Sequence, residues 1–259
     1  MNLAADIQRV IEAATVSELT WLDAAGRPDA WPVTPLWLAE QPVVACPYAS
    51  DDFARGVAGS PTAALVLSDQ RMSGSRWSPL AITVRPRLIE DRDGSIFTDQ
   101  LLVQELRKYP PARALLDSVI LRREHWWYVP RLLIVLEMVS VTAVGPRVHP
   151  GEQVLSVATD RGLVVDTAST AALDEDRLQI TSLLGHPLPE GDAALLGHDF
   201  SIPDLERWTP WITRGRLTGD VMDVDEYPTR TALEPTLGLR QRLRRHRDLE
   251  KGCRRALER

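Results

Sequence analysis

Short runs of alternating apolar and polar residues, separated by turn signals, fill the first 144 residues of the chain. In residues 17–38 two extended runs flank the turn sequence AAGRP, a pattern that predicts a β-hairpin. Pro32 and Pro35 in the second run predict an edge strand, a bulge or an opened backbone, because proline cannot donate to a strand ladder. Four further strands are predicted in QPVVACPY, TAALVLSD, SPLAITVRPRLIED and HWWYVPRLLIVLEMVSVTAV.

Helical spacing appears in three other segments of this region. The sequence AADIQRVIEAA places apolar residues at helical intervals, and SDDFARGVAGSP begins with a helix cap, Ser50, and ends at glycine and proline. The segment TDQLLVQELRKYPPARALLDSV predicts a helix interrupted at Pro110 and Pro111. The order of hairpin, helix, hairpin, helix and strand lacks the alternation of parallel βαβ units. It predicts a mainly β (α+β) fold, an antiparallel barrel with short helices over its openings.

Four segments of the first half recur in the second half in the same order. RWSP at 76–79 and RWTP at 207–210 lie 131 positions apart, and AALVLSD and AALLGHD lie 130 apart. The turn glycines Gly26 and Gly162 lie 136 positions apart, and ITVRPRLIED in the first half has the counterpart ITRGRLTGD in the second half at a similar offset. A slowly drifting offset is the pattern of an old duplication whose loops have changed length. The sequence therefore predicts two related barrels in one chain.

This repeat divides the chain into three predicted parts. Residues 1–150 form an N-terminal barrel domain, residues 151–230 an abbreviated second barrel, and residues 231–259 a basic C-terminal helix. Little after Tyr227 resembles the long strand HWWYVPRLLIVLEMV, so the second barrel is predicted to lack its closing strand.

Charge and targeting signals limit the classes of partner. A net charge of −6 and a pI near 5.5 argue against a general nucleic-acid binder, although residues 239–259 alone carry nine Lys/Arg and three Asp/Glu. An exposed or barrel-docked helix is the default expectation for this tail, and docking on an acidic partner or on the acidic body of the chain itself is the alternative. The N-terminal segment does not resemble a secretion signal, and the apolar run at 132–141 contains Glu137 and is too short to span a bilayer. We expect a cytoplasmic protein without a membrane partner.

The order and spacing of the motifs in residues 16–144 resemble those of the FMN-binding split-barrel proteins. This superfamily contains the pyridoxamine 5′-phosphate oxidases and the deazaflavin-dependent reductases. The resemblance rests on the first hairpin, the segment FARGVAGSP-TAALVLSD and the strand RWSPLAITVRPRLIED. It implies a split β-barrel and a flavin mononucleotide (FMN) cofactor. Since family members are homodimers with flavin between two barrels, it also implies either a pseudo-dimer within one chain or a homodimer.

The same resemblance suggests where the cofactor binds. Arg55, six residues before Pro61, takes the position of the family's phosphate-binding basic residue, and Ser50 offers a hydroxyl and helix-end N–H groups. Asp51 and Asp52 oppose a phosphate there, and the second copy has no Lys or Arg in the corresponding segment, so at most one of two sites is expected. The predicted cofactor-binding residues are Thr34, Tyr48, Ser50, Arg55, Trp77, His125, Trp126 and Arg131.

A purely structural role is the alternative for each of these residues. Arg55 also fits a solvated helix position, Ser50 a helix cap and Thr34 an ordinary strand position. Eight of the fifteen aromatic residues are tryptophans, which either fill the barrel cores or wall a planar ligand.

Two functions remain open from the sequence. The first is an oxidoreductase in which FMN, or alternatively a deazaflavin, exchanges a hydride with a small organic substrate. The flavin carries that chemistry, and no catalytic residue or metal site is identified. The second is a non-catalytic, degenerate split barrel that binds a planar ligand, heme included, or a protein partner.

Overall fold

The structure is a computed structural model that describes residues 3–259. The first two residues of the predicted N-terminal domain lie outside the described residues. Helix α1 (Leu3–Ala13) opens the chain and buries Ile7, Val10 and Ile11, the residues at helical spacing. It packs through them into the main hydrophobic core of the first half.

Seven antiparallel strands form one sheet in the first half of the chain. They are β1 (Ser17–Leu22), β2 (Pro28–Val33), β3 (Leu36–Leu38), β4 (Gln41–Pro47), β5 (Ala63–Leu67), β6 (Leu80–Asp91) and β7 (Arg131–Ala143). Their order in the sheet is β2-β1-β5-β6-β7-β4-β3. The sequence predicts one strand where the structure has both β2 and β3, at opposite edges of the sheet. The chain passes between them at Thr34 and Pro35, and Pro32 lies on an edge strand, as proline requires.

Helices connect these strands and cover the sheet. They are α2 (Asp51–Ala58), α3 (Leu102–Lys108), α4 (Arg113–Leu116) and α5 (Val119–Glu124), with short helical turns at Tyr48–Ser50, Phe97–Leu101, Pro110–Ala112 and Trp126–Tyr128. The helix predicted around Pro110 and Pro111 is interrupted there, as expected. The predicted last strand begins too early, because Trp126 and Trp127 lie in a helical turn and β7 starts only at Arg131.

Six antiparallel strands form a closed barrel in the second half. They are β8 (Gln153–Thr159), β9 (Gly162–Ala172), β10 (Arg177–Ser182), β11 (Gly191–Phe200), β12 (Trp208–Thr218) and β13 (Val221–Glu226). The prediction that this copy lacks its closing strand is wrong, since β13 pairs with both β12 and β10. The sequence did not predict this strand because Met222 is its one buried residue, so the segment contains no continuous apolar run.

The two halves share one strand order. The first half runs β2-β1-β5-β6-β7-β4, and the second runs β9-β8-β11-β12-β13-β10. The pairing register agrees with the sequence offsets. Ala63 of β5 lies opposite Val84 of β6, and Ala193 of β11 lies opposite Gly215 of β12. Ala193 follows Ala63 by 130 positions and Gly215 follows Val84 by 131, so the paired residues occupy equivalent places in the two halves. The predicted fold class, mainly antiparallel β with short helices and two related units in one chain, is confirmed, with a seven-stranded sheet in the first unit and a closed barrel in the second.

An apolar cluster joins the two halves. It contains Val66 and Leu196, which lie 130 positions apart at equivalent points of β5 and β11, together with Val144 and Val154 on either side of the connection. The boundary predicted at residue 150 falls in this connection, between β7 and β8. We infer that the halves pack on each other around a pseudo-symmetric contact.

The basic C-terminal segment forms helix α6 (Leu239–Leu257), which packs against the first half. Cys253 is fully buried, and Gly252 lies so close to the turn after β4 that an added Cβ would come within 2.9 Å of the Ala49 Cβ. Among residues 3–259, no helix combines the length and apolarity needed to cross a membrane.

Candidate ligand-binding cleft

A cavity of about 1140 Å³, the inter-barrel cleft, lies between the two halves of the chain. The first half contributes the β1–β2 hairpin and α2, and the second half contributes β11 and β12. Ligand pockets commonly occur at such domain contacts and have a comparable size.

Four aromatic side chains line the cleft. Trp21 and Phe53 meet edge to face with ring centroids 5.4 Å apart, while Trp31 leaves 50% of its surface exposed. Trp211 comes from the second half and lies over Gly197 of the neighbouring strand, where an added Cβ would come within 2.2 Å of the indole nitrogen. Gly197 therefore leaves the room in which the indole ring lies against β11. The cleft has the flat apolar walls that suit a planar molecule.

Both arginines that face the cleft are already paired with carboxylates. Arg55 Nε lies 2.7 Å from Asp51 Oδ1, and Arg55 Nη2 lies 2.7 Å from Glu90 Oε1. The hydrogen bond from Arg55 is the main cause of the lowered pKa of the Glu90 carboxyl. The ion pairs therefore favour the charged forms of Arg55 and Glu90 and engage Nε and Nη2 of the guanidinium.

The second arginine of the cleft is held in the same way. Arg214 Nη2 lies 2.6 Å from Asp29 Oδ1, and Arg214 Nη1 lies 3.3 Å from Glu226 Oε2. Asp23, Asp29 and Asp52 also line the cleft, so its acidic side chains outnumber its basic ones. A dianionic phosphate would meet a net negative charge and no unpaired cation among the described lining residues. The cleft fits the flavin ring but does not fit the phosphate of FMN.

Of the predicted cofactor residues, Ser50 and Arg55 line the cleft. Tyr48 lies behind them and is buried, and burial is the main reason that its pKa is raised. Its hydroxyl has no hydrogen-bond partner within residues 3–259. Thr34 is half-buried in the link between β2 and β3 and does not line the cleft. The structure therefore brings two of these four residues to the cavity.

The other predicted residues lie elsewhere. Trp77 is buried in the connection before β6, where its indole nitrogen donates to Ser73 Oγ at 3.2 Å. His125 Nδ1 lies 3.0 Å from the carbonyl oxygen of Leu121. Trp126 lines a second cavity, described below.

Arg131 is the eighth predicted residue, and it is fully buried. Its guanidinium carbon lies 4.1 Å from the ring centroids of both Phe97 and Tyr128. It packs between two aromatic rings in the interior of the first half, away from both cavities.

Sequence reasoning missed the cleft residues of the second half, Trp211 and Arg214, and gave no ligand role to Trp21 and Phe53. The repeat carried a signal for Trp211 and Arg214. They lie 131 positions after Leu80 and Thr83 of β6, which places them on the equivalent strand β12. The sequence does not show that β12 lies across the cleft from α2, because this depends on how the two halves pack.

A buried ionic network lies at the contact between the halves. Arg147 Nη2 contacts Glu18 Oε1 and lies 3.0 Å from His198 Nε2 and 3.4 Å from Asp69 Oδ2. Glu18, Asp69 and His198 are close enough to one another to form a metal-ligand set, but the guanidinium of Arg147 is in contact with all three. Burial disfavours the charged form of Asp69, yet its hydrogen bond from Arg71 and the charge of Arg147 hold its pKa below the ordinary value.

His198 connects this network to β12. The indole nitrogen of Trp208 donates to His198 Nδ1 at 3.2 Å, so the ring proton lies on Nε2, 2.6 Å from Glu18 Oε1. Burial is the main reason that the pKa of His198 is lowered, which favours the neutral ring. The network therefore joins strands of both halves and acts as a structural link.

The fold and cleft define the chain as an antiparallel two-barrel protein with a ligand-sized cavity between the barrels. No protein-family model and no curated protein matches it. It is similar to solved structures that cover about half of its length. One is described as HutZ, the heme storage protein from Vibrio cholerae, with 15% identity, 55% of this chain and 95% of that chain covered, and a TM-score of 0.38.

Two further similar structures carry other descriptions. One is a putative pyridoxamine 5′-phosphate oxidase from Lactobacillus delbrueckii, with 11% identity, 53% and 91% of the two chains covered, and a TM-score of 0.35. The other is general stress protein 26 from Bacillus anthracis, with 12% identity, 54% and 92% covered, and a TM-score of 0.37.

Proposed function

We propose that this protein binds a planar aromatic molecule, neutral or cationic and without a phosphate tail, in the inter-barrel cleft. One observation carries the proposal. The walls of the cleft are aromatic, while both arginines that face it are already paired with carboxylates. Burial of a flat ring between Trp31 and Trp211 is the main source of affinity. The surplus of carboxylates selects against anions.

This proposal corresponds to the ligand-binding function left open by the sequence rather than to an FMN-dependent oxidoreductase. An isoalloxazine ring is flat and uncharged and suits the aromatic walls, but the phosphate of FMN would enter a cleft that Asp23, Asp29 and Asp52 line. A heme is less suitable still. The residues described as lining the cleft include no His, Cys, Met or Tyr, the side chains that hold heme iron in proteins.

Riboflavin, which has the ring of FMN but no phosphate, is the probe for the cleft. Replacing Trp31 by alanine will weaken riboflavin binding about tenfold or more, because the ring loses one of its aromatic walls. Quenching of riboflavin fluorescence during titration with the full chain measures the dissociation constant. Since half of the Trp31 surface is exposed, the substitution leaves the fold intact, and an unchanged melting temperature checks this.

Trp126→Ala is the matched control for this experiment. Trp126 is exposed to the same degree, 51%, but lines the other cavity, so its loss will leave riboflavin binding unchanged. Equal affinities of the wild type and the Trp31→Ala variant, or no binding of riboflavin to the wild type, would refute the proposal.

A further inference from the structure

A second cavity, the α5 pocket, lies on the first half and has a volume of about 690 Å³. The turn after β6, helix α5, the segment just before β7 and the end of α6 surround it. Its lining residues are Arg92, Asp93, Thr98, Val119, Arg122, Arg123, Trp126, Val129, Pro130 and Leu257.

The α5 pocket differs from the inter-barrel cleft in charge. Three arginines and one aspartate line it, whereas three aspartates and two arginines line the cleft. Arg122 Nη1 donates to the carbonyl oxygen of Leu116 at 3.1 Å. Neither Arg122 nor Arg123 forms an ion pair with a carboxylate in the part of the chain that the structure describes. The pocket therefore carries positive charge that a bound anion can neutralise.

The one acidic side chain of the pocket offsets only part of this charge. Asp93 Oδ1 accepts a hydrogen bond from the backbone N–H of Ser95 at 3.0 Å, which keeps the aspartate in its turn. Arg92 is bonded outside the pocket, with Nε 3.2 Å from Glu90 Oε2. Arg122 and Arg123 are thus the two arginines available to a ligand.

An exposed tryptophan lies beside these arginines. Trp126 leaves 51% of its surface open, an unusual exposure for so large an apolar ring, and the guanidinium carbon of Arg254 lies 5.1 Å from its ring centroid. Val129 and Pro130 add apolar surface to the same wall. An aromatic ring can therefore stack on Trp126 while an attached anion reaches the arginines.

We propose that the α5 pocket binds a nucleotide-like ligand, an aromatic base that carries a phosphate. The phosphate accepts hydrogen bonds from Arg122 and Arg123, whose planar guanidinium groups match its oxygens, and the base stacks on Trp126. This site is separate from the cleft and does not depend on its occupant.

Adenosine monophosphate is the probe, and calorimetric titration of the full chain at low ionic strength is the measurement. The wild type will bind it, and adenosine will bind about tenfold more weakly or worse, because it lacks the phosphate. The double variant Arg122→Gln/Arg123→Gln and the variant Trp126→Ala will each weaken binding of the nucleotide about tenfold or more.

Three controls keep the test specific. Arg123→Gln alone removes a side chain without a hydrogen-bond partner in the described structure, so it preserves the fold and will still weaken binding. Arg240→Gln, at an exposed position of α6, and Trp31→Ala, in the cleft, will leave nucleotide binding unchanged. Equal affinities of adenosine and its monophosphate, full binding by the double variant, or no binding by the wild type would each overturn the proposal. None of these outcomes bears on riboflavin binding in the cleft.

Discussion

Replacing Arg147 by methionine will lower the free energy of unfolding by about 3–5 kcal/mol. The guanidinium is buried and contacts Glu18, Asp69 and His198 at the contact between the two halves. Its removal leaves the Glu18 carboxylate buried without a cation, an arrangement that is strongly unfavourable at low dielectric, whereas Asp69 keeps its ion pair with Arg71. Urea denaturation at neutral pH measures the loss.

Arg216→Met is the matched control for this substitution. Arg216 also forms an ion pair, with Asp192 at 3.0 Å, but 67% of its side chain is exposed. Solvent screens such pairs, so the change will be below about 1 kcal/mol. If the two substitutions cost the same, the Arg147 network is not what links the halves. The double variant Glu18→Gln/Arg147→Met will recover part of the stability, because it removes the carboxylate that Arg147→Met leaves without a cation.

Replacing Leu196 by alanine will lower the free energy of unfolding by about 3 kcal/mol. Leu196 is fully buried in the apolar cluster that both halves share, so the shorter side chain leaves a cavity in the contact itself. We expect both halves to lose stability together. Tryptophan fluorescence and far-ultraviolet circular dichroism will report one transition at the same, lower urea concentration.

The control for Leu196 is an exposed apolar residue on a strand. Val139 of β7 leaves 53% of its surface open, so Val139→Ala will change stability by less than about 0.5 kcal/mol. Two separate transitions in the Leu196→Ala variant, with the first half unaffected, would contradict a shared contact between the halves.

Much of the fold could be predicted from the sequence, because local patterns determine it. AALVLSD and AALLGHD lie on the equivalent strands β5 and β11, and the glycine turns Gly26 and Gly162 close equivalent hairpins. The repeat therefore predicted two related units. The closing strand β13 could not be predicted in this way. It is held by backbone pairing with β10 and β12 rather than by apolar side chains of its own.

The candidate site could be predicted only in part. Arg55 lines the cleft, but its pairing with Glu90, 35 positions away, depends on how α2 packs against β6. The residue types in the sequence suggested a phosphate site, whereas the tertiary structure neutralises the arginine that the phosphate needs. Trp126 was predicted for the same site, and the structure places it in the separate α5 pocket.

The two cavities give the chain opposite preferences for charge. The cleft combines aromatic walls with a surplus of carboxylates, and the α5 pocket combines one exposed indole with unpaired arginines. A duplicated barrel needs no second copy of the chain to form a contact between barrels. We infer that the cleft is complete within a single polypeptide, since both of its walls come from the described residues of one chain.

The ratio of the dissociation constants for riboflavin and FMN tests the nature of the cleft most directly. The two molecules share one ring and differ in the phosphate, so the ratio isolates the effect of charge. We expect riboflavin to bind about tenfold more tightly than FMN, because three aspartates and only two arginines line the cleft and both arginines are already paired with carboxylates. Tighter binding of FMN, lost on replacing Arg55 by glutamate, would contradict this and would restore a phosphate site at α2.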